Sequence, residues 1–151
     1  MAINETSQFE ENSPLGRIQD YFNALQNSTD DYIFVVDAET NQFLLSDNFL
    51  SDFNFSSNLV DDFETLLLPF IYSDDRDVYE AMQVVSSESR LDSVSCEFRL
   101  LNREGEYGWV NLRMTLCTDE FEQPQFITGI IARLDKIVKA DYVTGLLNRN
   151  V

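Results

Sequence analysis

Leu15, Ile18, Phe22 and Leu25 recur at three- and four-residue steps, the spacing of one apolar stripe along a helix. Ser13 and Pro14 stand just before it as an N-cap and a first helical residue, and Asn27-Ser28-Thr29-Asp30 ends it. The pattern predicts a helix over 13–27, preceded by a polar stretch, 1–12, expected to be disordered or loosely attached. Its stripe has two possible uses: packing on its own domain, or pairing with a second subunit. The pattern then changes period. Tyr32-Ile33-Phe34-Val35-Val36-Asp37 is β-branched and aromatic, which predicts a strand, and Ala38-Glu39-Thr40-Asn41 turns it into a second strand over Gln42–Ser46. From Asp47 to Asp62 the chain is dense in Asn, Asp, Ser and Phe and suits short helices and loops. Asp62 is placed to cap a helix through Phe63–Leu68 that stops near Pro69. Ser73 or Asp74 is placed to cap a longer one from Asp75 to about Ser87, with Val78, Met82 and Val85 inward.

Alternation returns for the rest. Val94, Cys96, Phe98 and Leu100 alternate with Ser93, Ser95, Glu97 and Arg99, a half-buried strand. Asn102–Glu106 forms a hairpin turn in which Gly105 is free to take positive φ. Trp109 to Cys117 alternates again, with Val110, Leu112, Met114 and Leu116 on one face. Gln125 to Leu134 makes a last strand that runs into a terminal helix containing Ile137, Val138 and Ala140, with Gly145 suited to its end. Helix, two strands, short helices, three strands and a helix make an α+β order.

Composition narrows what such a domain does. Apolar residues are 44% of the 151, enough for a core, and twelve Phe make it bulky. The formal charge of −17 repels phosphate backbones and anionic bilayers, so neither nucleic acid nor membrane is an expected partner. No apolar run reaches the length of a span, and Met1-Ala2-Ile3-Asn4-Glu5 lacks the basic start of a signal peptide. A cytoplasmic location is expected. Cys96 and Cys117 lie in strand-like runs and are expected to be buried thiols rather than a disulfide. The chain has no histidine, which excludes Ser-His-Asp and Cys-His nucleophiles and His-ligated haem or zinc. Adjacent acids at Asp30-Asp31, Asp61-Asp62, Asp74-Asp75 and Asp119-Glu120 point apart on a helix or strand and are assigned to capping and solvation.

The order of elements resembles a PAS domain, and local runs agree. Ser46-Asp47-Asn48-Phe49-Leu50 resembles the Asn-x-Ala/Phe opening of the first PAS helix. Ile71-Tyr72-Ser73-Asp74-Asp75-Arg76 resembles the His-Pro-Asp-Asp-Arg start of the long PAS helix, with Tyr72 and Ser73 in place of His-Pro. Asn102 to Val110 resembles the Lys/Arg-Asp-Gly-x-x-x-Trp hairpin, and Gly129 resembles the family's last-strand glycine. Four residues later the family's usual Asp is Arg133. The resemblance covers roughly 28–135 and implies a five-stranded antiparallel sheet with short helices on one face, flanked by an N-terminal helix and a C-terminal signalling helix. It also implies a small-molecule pocket, for which Cys96, Phe98, Leu112 and Met114 are candidates; a filled core is the alternative. The Asn-Cys-Arg-Phe-Leu-Gln run of the flavin-binding, light-sensing branch does not occur, and the chain has no histidine, so no haem, flavin or zinc is expected.

Asp141-Tyr142-Val143-Thr144-Gly145-Leu146-Leu147-Asn148-Arg149 resembles the Asp-x-Leu-Thr-Gly-Leu-x-Asn-Arg run that opens the GGDEF domain of diguanylate cyclases, with Val143 for the usual Leu. Residues 136–151 are therefore expected to be a linker helix and the start of a truncated GGDEF domain, with Asp141, Val143, Thr144, Gly145, Asn148 and Arg149 at the junction. The Gly-Gly-Asp/Glu-Glu-Phe loop that a cyclase needs does not occur, so catalysis by these residues is not expected. The resemblance implies a cytoplasmic sensory module that regulates an attached diguanylate cyclase as a homodimer. Leu15, Ile18, Phe22 and Leu25 are the candidate dimer contacts, with a second seam around Leu134, Ile137, Val138 and Asp141. The alternative is a stand-alone small-molecule-binding or protein-interaction module.

Overall fold

The computed structural model describes residues 9–53, 63–89 and 93–134, with side chains through Met82 in the second stretch. Helix α1 spans Pro14–Gln26, and Ser13 caps it: its Oγ accepts the Gly16 N–H at 3.1 Å. Strands β1 (Tyr32–Asp37) and β2 (Phe43–Leu45) form the expected hairpin, with Asn41 at φ 63° in its turn. Short helices α2 (Asp47–Asp52) and α3 (Phe63–Leu67) follow, then 3-10 turns at Leu68–Phe70 and Ser73–Asp75 that lead into α4 (Arg76–Ser89). Strands β3 (Ser93–Leu101), β4 (Tyr107–Thr118) and β5 (Pro124–Arg133) close one five-stranded antiparallel sheet in the order β2-β1-β5-β4-β3. Gly105 takes φ 83° in the β3–β4 turn, the conformation that turn requires.

β1 is buried along its whole length because both of its faces are covered. Tyr32, Phe34 and Val36 point to the helices, and Ile33 and Val35 point to α1. The inner face carries the main core: Phe34, Phe49, Phe63, Tyr79, Phe98, Leu100, Leu112 and Ile131 are all at or near full burial. The Phe34 ring stacks on Phe63 at 4.1 Å and lies across Gly129, its register partner on β5, where a Cβ would collide with it. A glycine is needed on that strand because an aromatic side chain occupies the space its own would take.

Three expectations change. Leu15 and Phe22 are 1% and 2% exposed, sealed with Phe9, Ile33, Val35 and Leu44 under α1, so they serve the subunit's own second core and are not free to meet another subunit. Phe9 belongs to that cluster, and the start of the chain is thus tied down from residue 9 rather than loose. Among the described side chains of α4 the buried ones are Tyr79 and Met82, the latter as expected, while Val78 is 44% exposed. The Tyr79 ring packs edge-on against Phe98 and sets the helix phase that turns Val78 outward. Val85 and Asp62 lie outside the described side chains.

Candidate functional site

Cys96, Phe98, Leu112 and Met114 share the inner face of β3 and β4. Phe98 and Leu112 are fully buried and Met114 is 7% exposed, so these three are surrounded by the aromatic core. Cys96 is half-buried at the rim and lines an open groove with Val78, Ala81 and Met82 of α4. Burial, and then the charge of Glu97, push its thiol up to about 11, which keeps it protonated near neutral pH and dulls it as a nucleophile.

Two acid–arginine pairs stand out around this core. Asp75, at the last residue of the turn before α4, accepts from Arg99 through both carboxylate oxygens: Nη2 at 2.9 Å, Nε at 2.9 Å and the backbone N–H at 2.8 Å. The Arg99 guanidinium lies between the Tyr72 ring at 4.1 Å and the Trp109 ring at 4.8 Å. The side-chain bond from Arg99 holds the Asp75 carboxyl below its ordinary value. This pair also fastens the free edge of β3, where Tyr72 donates its backbone N–H to the Arg99 carbonyl. The acidic doublet assigned to capping and solvation thus includes one buried structural carboxylate.

The second pair sits where β5 ends. Ser46 and Asn48 fix α2 against the start of β1: Ser46 Oγ accepts the Ile33 N–H at 3.0 Å, and Asn48 Nδ2 donates to the Asp30 and Asp31 carbonyls. That placement brings Asp52 to Tyr32, whose hydroxyl donates to Asp52 Oδ2 at 2.6 Å. Burial, then the Asp52 hydrogen bond and charge, raise the Tyr32 phenol well above its usual range. Arg103, in the β3–β4 turn, donates to the Ser51, Phe53 and Leu50 carbonyls and so closes the end of α2. Arg133, the last residue of β5, approaches Asp52 Oδ2 only to 3.9 Å and lies over the Tyr32 ring at 5.6 Å. Tyr32, Asp52, Arg103, Glu104, Val110 and Arg133 line a cleft of about 300 Å³. Arg133 entered the sequence reading only as a departure from a family pattern, and Asp52 did not enter it.

A third feature lies on the outer face. Leu25 and Phe22 of α1 face Thr128, Ile130, Arg113 and Thr115 across a largely apolar groove of about 480 Å³. Leu25 is 60% and Ile130 47% exposed; Ile18 is half-buried against the second core. Among the described residues no group of three or more Cys, Asp or Glu is placed to hold a metal ion, and no helix is long and apolar enough to cross a membrane. Asp141, Val143, Thr144, Gly145, Asn148 and Arg149, with Ile137 and Val138, lie outside the described residues.

Five antiparallel strands with short helices gathered on one face and α1 packed on the other make a layered α+β domain. The model of the PAS fold matches residues 42–131, more than half of the sequence, and the chain belongs to that family. Solved structures agree on the fold. A sensory box histidine kinase/response regulator from Burkholderia thailandensis E264 is 20% identical, with a TM-score of 0.56 over 82% of this chain and 92% of that one. The N-terminal domain of a diguanylate cyclase with PAS/PAC sensor from Marinobacter aquaeolei is 14% identical, with a TM-score of 0.60 over 72% and 98%. A domain of a putative light and redox sensing histidine kinase from Haloarcula marismortui is 16% identical, with a TM-score of 0.56 over 76% and 98%. No curated protein matches the sequence.

Proposed function

We propose that this chain is the sensory and dimerisation region of a diguanylate cyclase and performs no catalysis itself. The observation that carries this reading is the run Asp141 to Arg149, in which Asp, Thr, Gly, Leu, Asn and Arg fall at the spacing that opens a GGDEF domain. The likeness of the fold to the PAS domain of a diguanylate cyclase is compatible with it. In this reading a change at the sheet passes through Arg133 and Leu134 into the linker and resets how two cyclase domains face each other. The test is to express the complete reading frame that contains residues 1–151 and supply GTP. Cyclic-di-GMP formation that changes when residues 9–134 are deleted is the expected result; ATP-dependent histidine phosphorylation without cyclic-di-GMP overturns it.

The pairing surface in this proposal moves from the α1 stripe as a whole to its exposed end. Leu25 and Ile130 flank the outer groove, and a second copy of the chain related by a two-fold axis would cover them. The charge of −17 on each copy opposes approach, so pairing strengthens with salt. Light scattering of wild type against Leu25→Asp/Ile130→Asp checks this: a salt-strengthened dimer lost in the double variant is expected, and a wild-type monomer at all salt concentrations defeats it.

A further inference from the structure

The Asp52–Arg133 pair is poorly matched for two side chains lying so close. At 3.9 Å the contact is beyond hydrogen-bond reach, and beside Asp52 the Arg133 guanidinium meets the Tyr32 side chain, which leaves most of its five N–H donors unused among the described residues. Asp52 uses Oδ2 for Tyr32, and no bond to its Oδ1 is found among the described residues. Both side chains are 42% exposed. A carboxylate acceptor and a guanidinium fork therefore stand side by side at one cleft, each with hydrogen-bonding capacity to spare.

We infer that this cleft binds a small free α-amino acid, its ammonium on Asp52 and its carboxylate on Arg133. A simple anion would meet Asp52, Glu104 and a net charge of −17. A simple cation would meet Arg133 and Arg103. A zwitterion meets neither repulsion, because its two charges are close together and opposite in sense to the pair on the protein. Arg suits the carboxylate end, since its planar fork gives two parallel N–H donors. Trp109, which is 46% exposed, provides an apolar side for a short aliphatic side chain. The volume of about 300 Å³ is at the small end of ligand sites and fits a ligand of that size. Because Arg133 ends β5, a carboxylate that draws its guanidinium off Asp52 acts on the point where the chain leaves the sheet. The inference deepens the sensory reading above. Its test measures binding alone, so its failure leaves that reading standing.

The experiment is a thermal-shift and calorimetric screen of the protein against the common amino acids singly, with N-acetylalanine and alaninamide as controls. Binding to the native state raises the midpoint with the logarithm of ligand concentration. At least one free amino acid is expected to bind while both blocked forms fail. Asp52→Asn, which keeps an acceptor for Tyr32, and Arg133→Gln are each expected to weaken binding at least about tenfold, with circular dichroism unchanged. Equal binding of N-acetylalanine shows an anion site and overturns the inference. So do no response to any amino acid, or affinity unchanged in both variants.

Discussion

Asp75–Arg99 and Asp52–Arg133 join the same two kinds of side chain within one small domain, but they are built differently. Arg99 reaches Asp75 with a two-point fork, adds its own backbone N–H, and lies between two aromatic rings. Arg133 stands 3.9 Å from Asp52 and more than 5 Å from the Tyr32 centroid. The Asp75 side chain is 9% exposed and Asp52 42%. Burial leaves the first carboxylate dependent on its partner, whereas water can serve the second. The tight pair holds the start of α4 to the edge strand, and the loose one leaves donors and an acceptor available at the end of β5.

The comparison is broken most severely at Asp75. Asp75→Ala leaves the Arg99 backbone N–H without its acceptor and removes the fork, a loss of about 1.5–3 kcal/mol. Arg133→Ala removes a half-exposed, loosely placed cation and is expected to cost no more than about 1 kcal/mol. Urea unfolding of the two variants separates them; equal losses would mean that the two pairs have the same role. Arg99→Lys against Arg133→Lys sharpens the point with charge preserved. Lysine cannot form the fork or stack flat between Tyr72 and Trp109. A lower midpoint is therefore expected at position 99, smaller in size than for Asp75→Ala, and none at 133.

Acid titration tests the same difference. The folded Asp75 carboxyl lies below its ordinary value of 3.8, chiefly through the Arg99 side-chain bond. A depressed carboxyl contributes stability that is present above that ordinary value and is lost as the pH falls through the folded one. Asp75→Asn should flatten the acid limb below pH 3.8, and an acid limb parallel to wild type would exclude Asp75 as its source.

Much of this fold is legible in the sequence because strands report themselves by alternation. Phe98 and Leu100 on β3, and Val110, Leu112 and Met114 on β4, turn inward where the pattern puts them. Gly129 stands out in the sequence only by its family resemblance, and the Phe34 ring supplies its physical reason. In α4 Met82 turns inward as its spacing predicts, but Val78 gives its place to Tyr79: both are credible core residues, and only the position of Phe98 decides between them. The two uses of the α1 stripe could not be separated because the sheet face that receives Leu15 and Phe22 comes from distant residues. Asp75 hid in an acidic doublet, where adjacent carboxylates ordinarily mean solvent. The Asp52–Arg133 cleft has no local signature at all: α2 and the end of β5 meet only in three dimensions. Backbone elements follow from short-range periodicity, while a polar site assembled from remote residues does not.

A small effect is expected at Tyr32, the residue that shares Asp52 with Arg133. Tyr32→Phe keeps the ring in the core and removes only the 2.6 Å bond to Asp52 Oδ2, whose oxygen water can reach. A loss of about 0.5–1 kcal/mol at neutral pH is expected. The alkaline side is more informative. Burial first, then Asp52, raise the folded phenol far above its ordinary value of 10.0. A raised value means that the stabilisation is complete below pH 10 and is lost as the pH climbs from there towards the folded value. Phenylalanine has no proton to lose, so the stability gap between wild type and Tyr32→Phe should narrow as the pH rises past 10. Chemical unfolding of both proteins between neutral and strongly alkaline pH measures that gap. If the two curves run parallel, the phenol is not held by Asp52, and the loose pair then lacks the hydrogen bond that positions its carboxylate at the cleft.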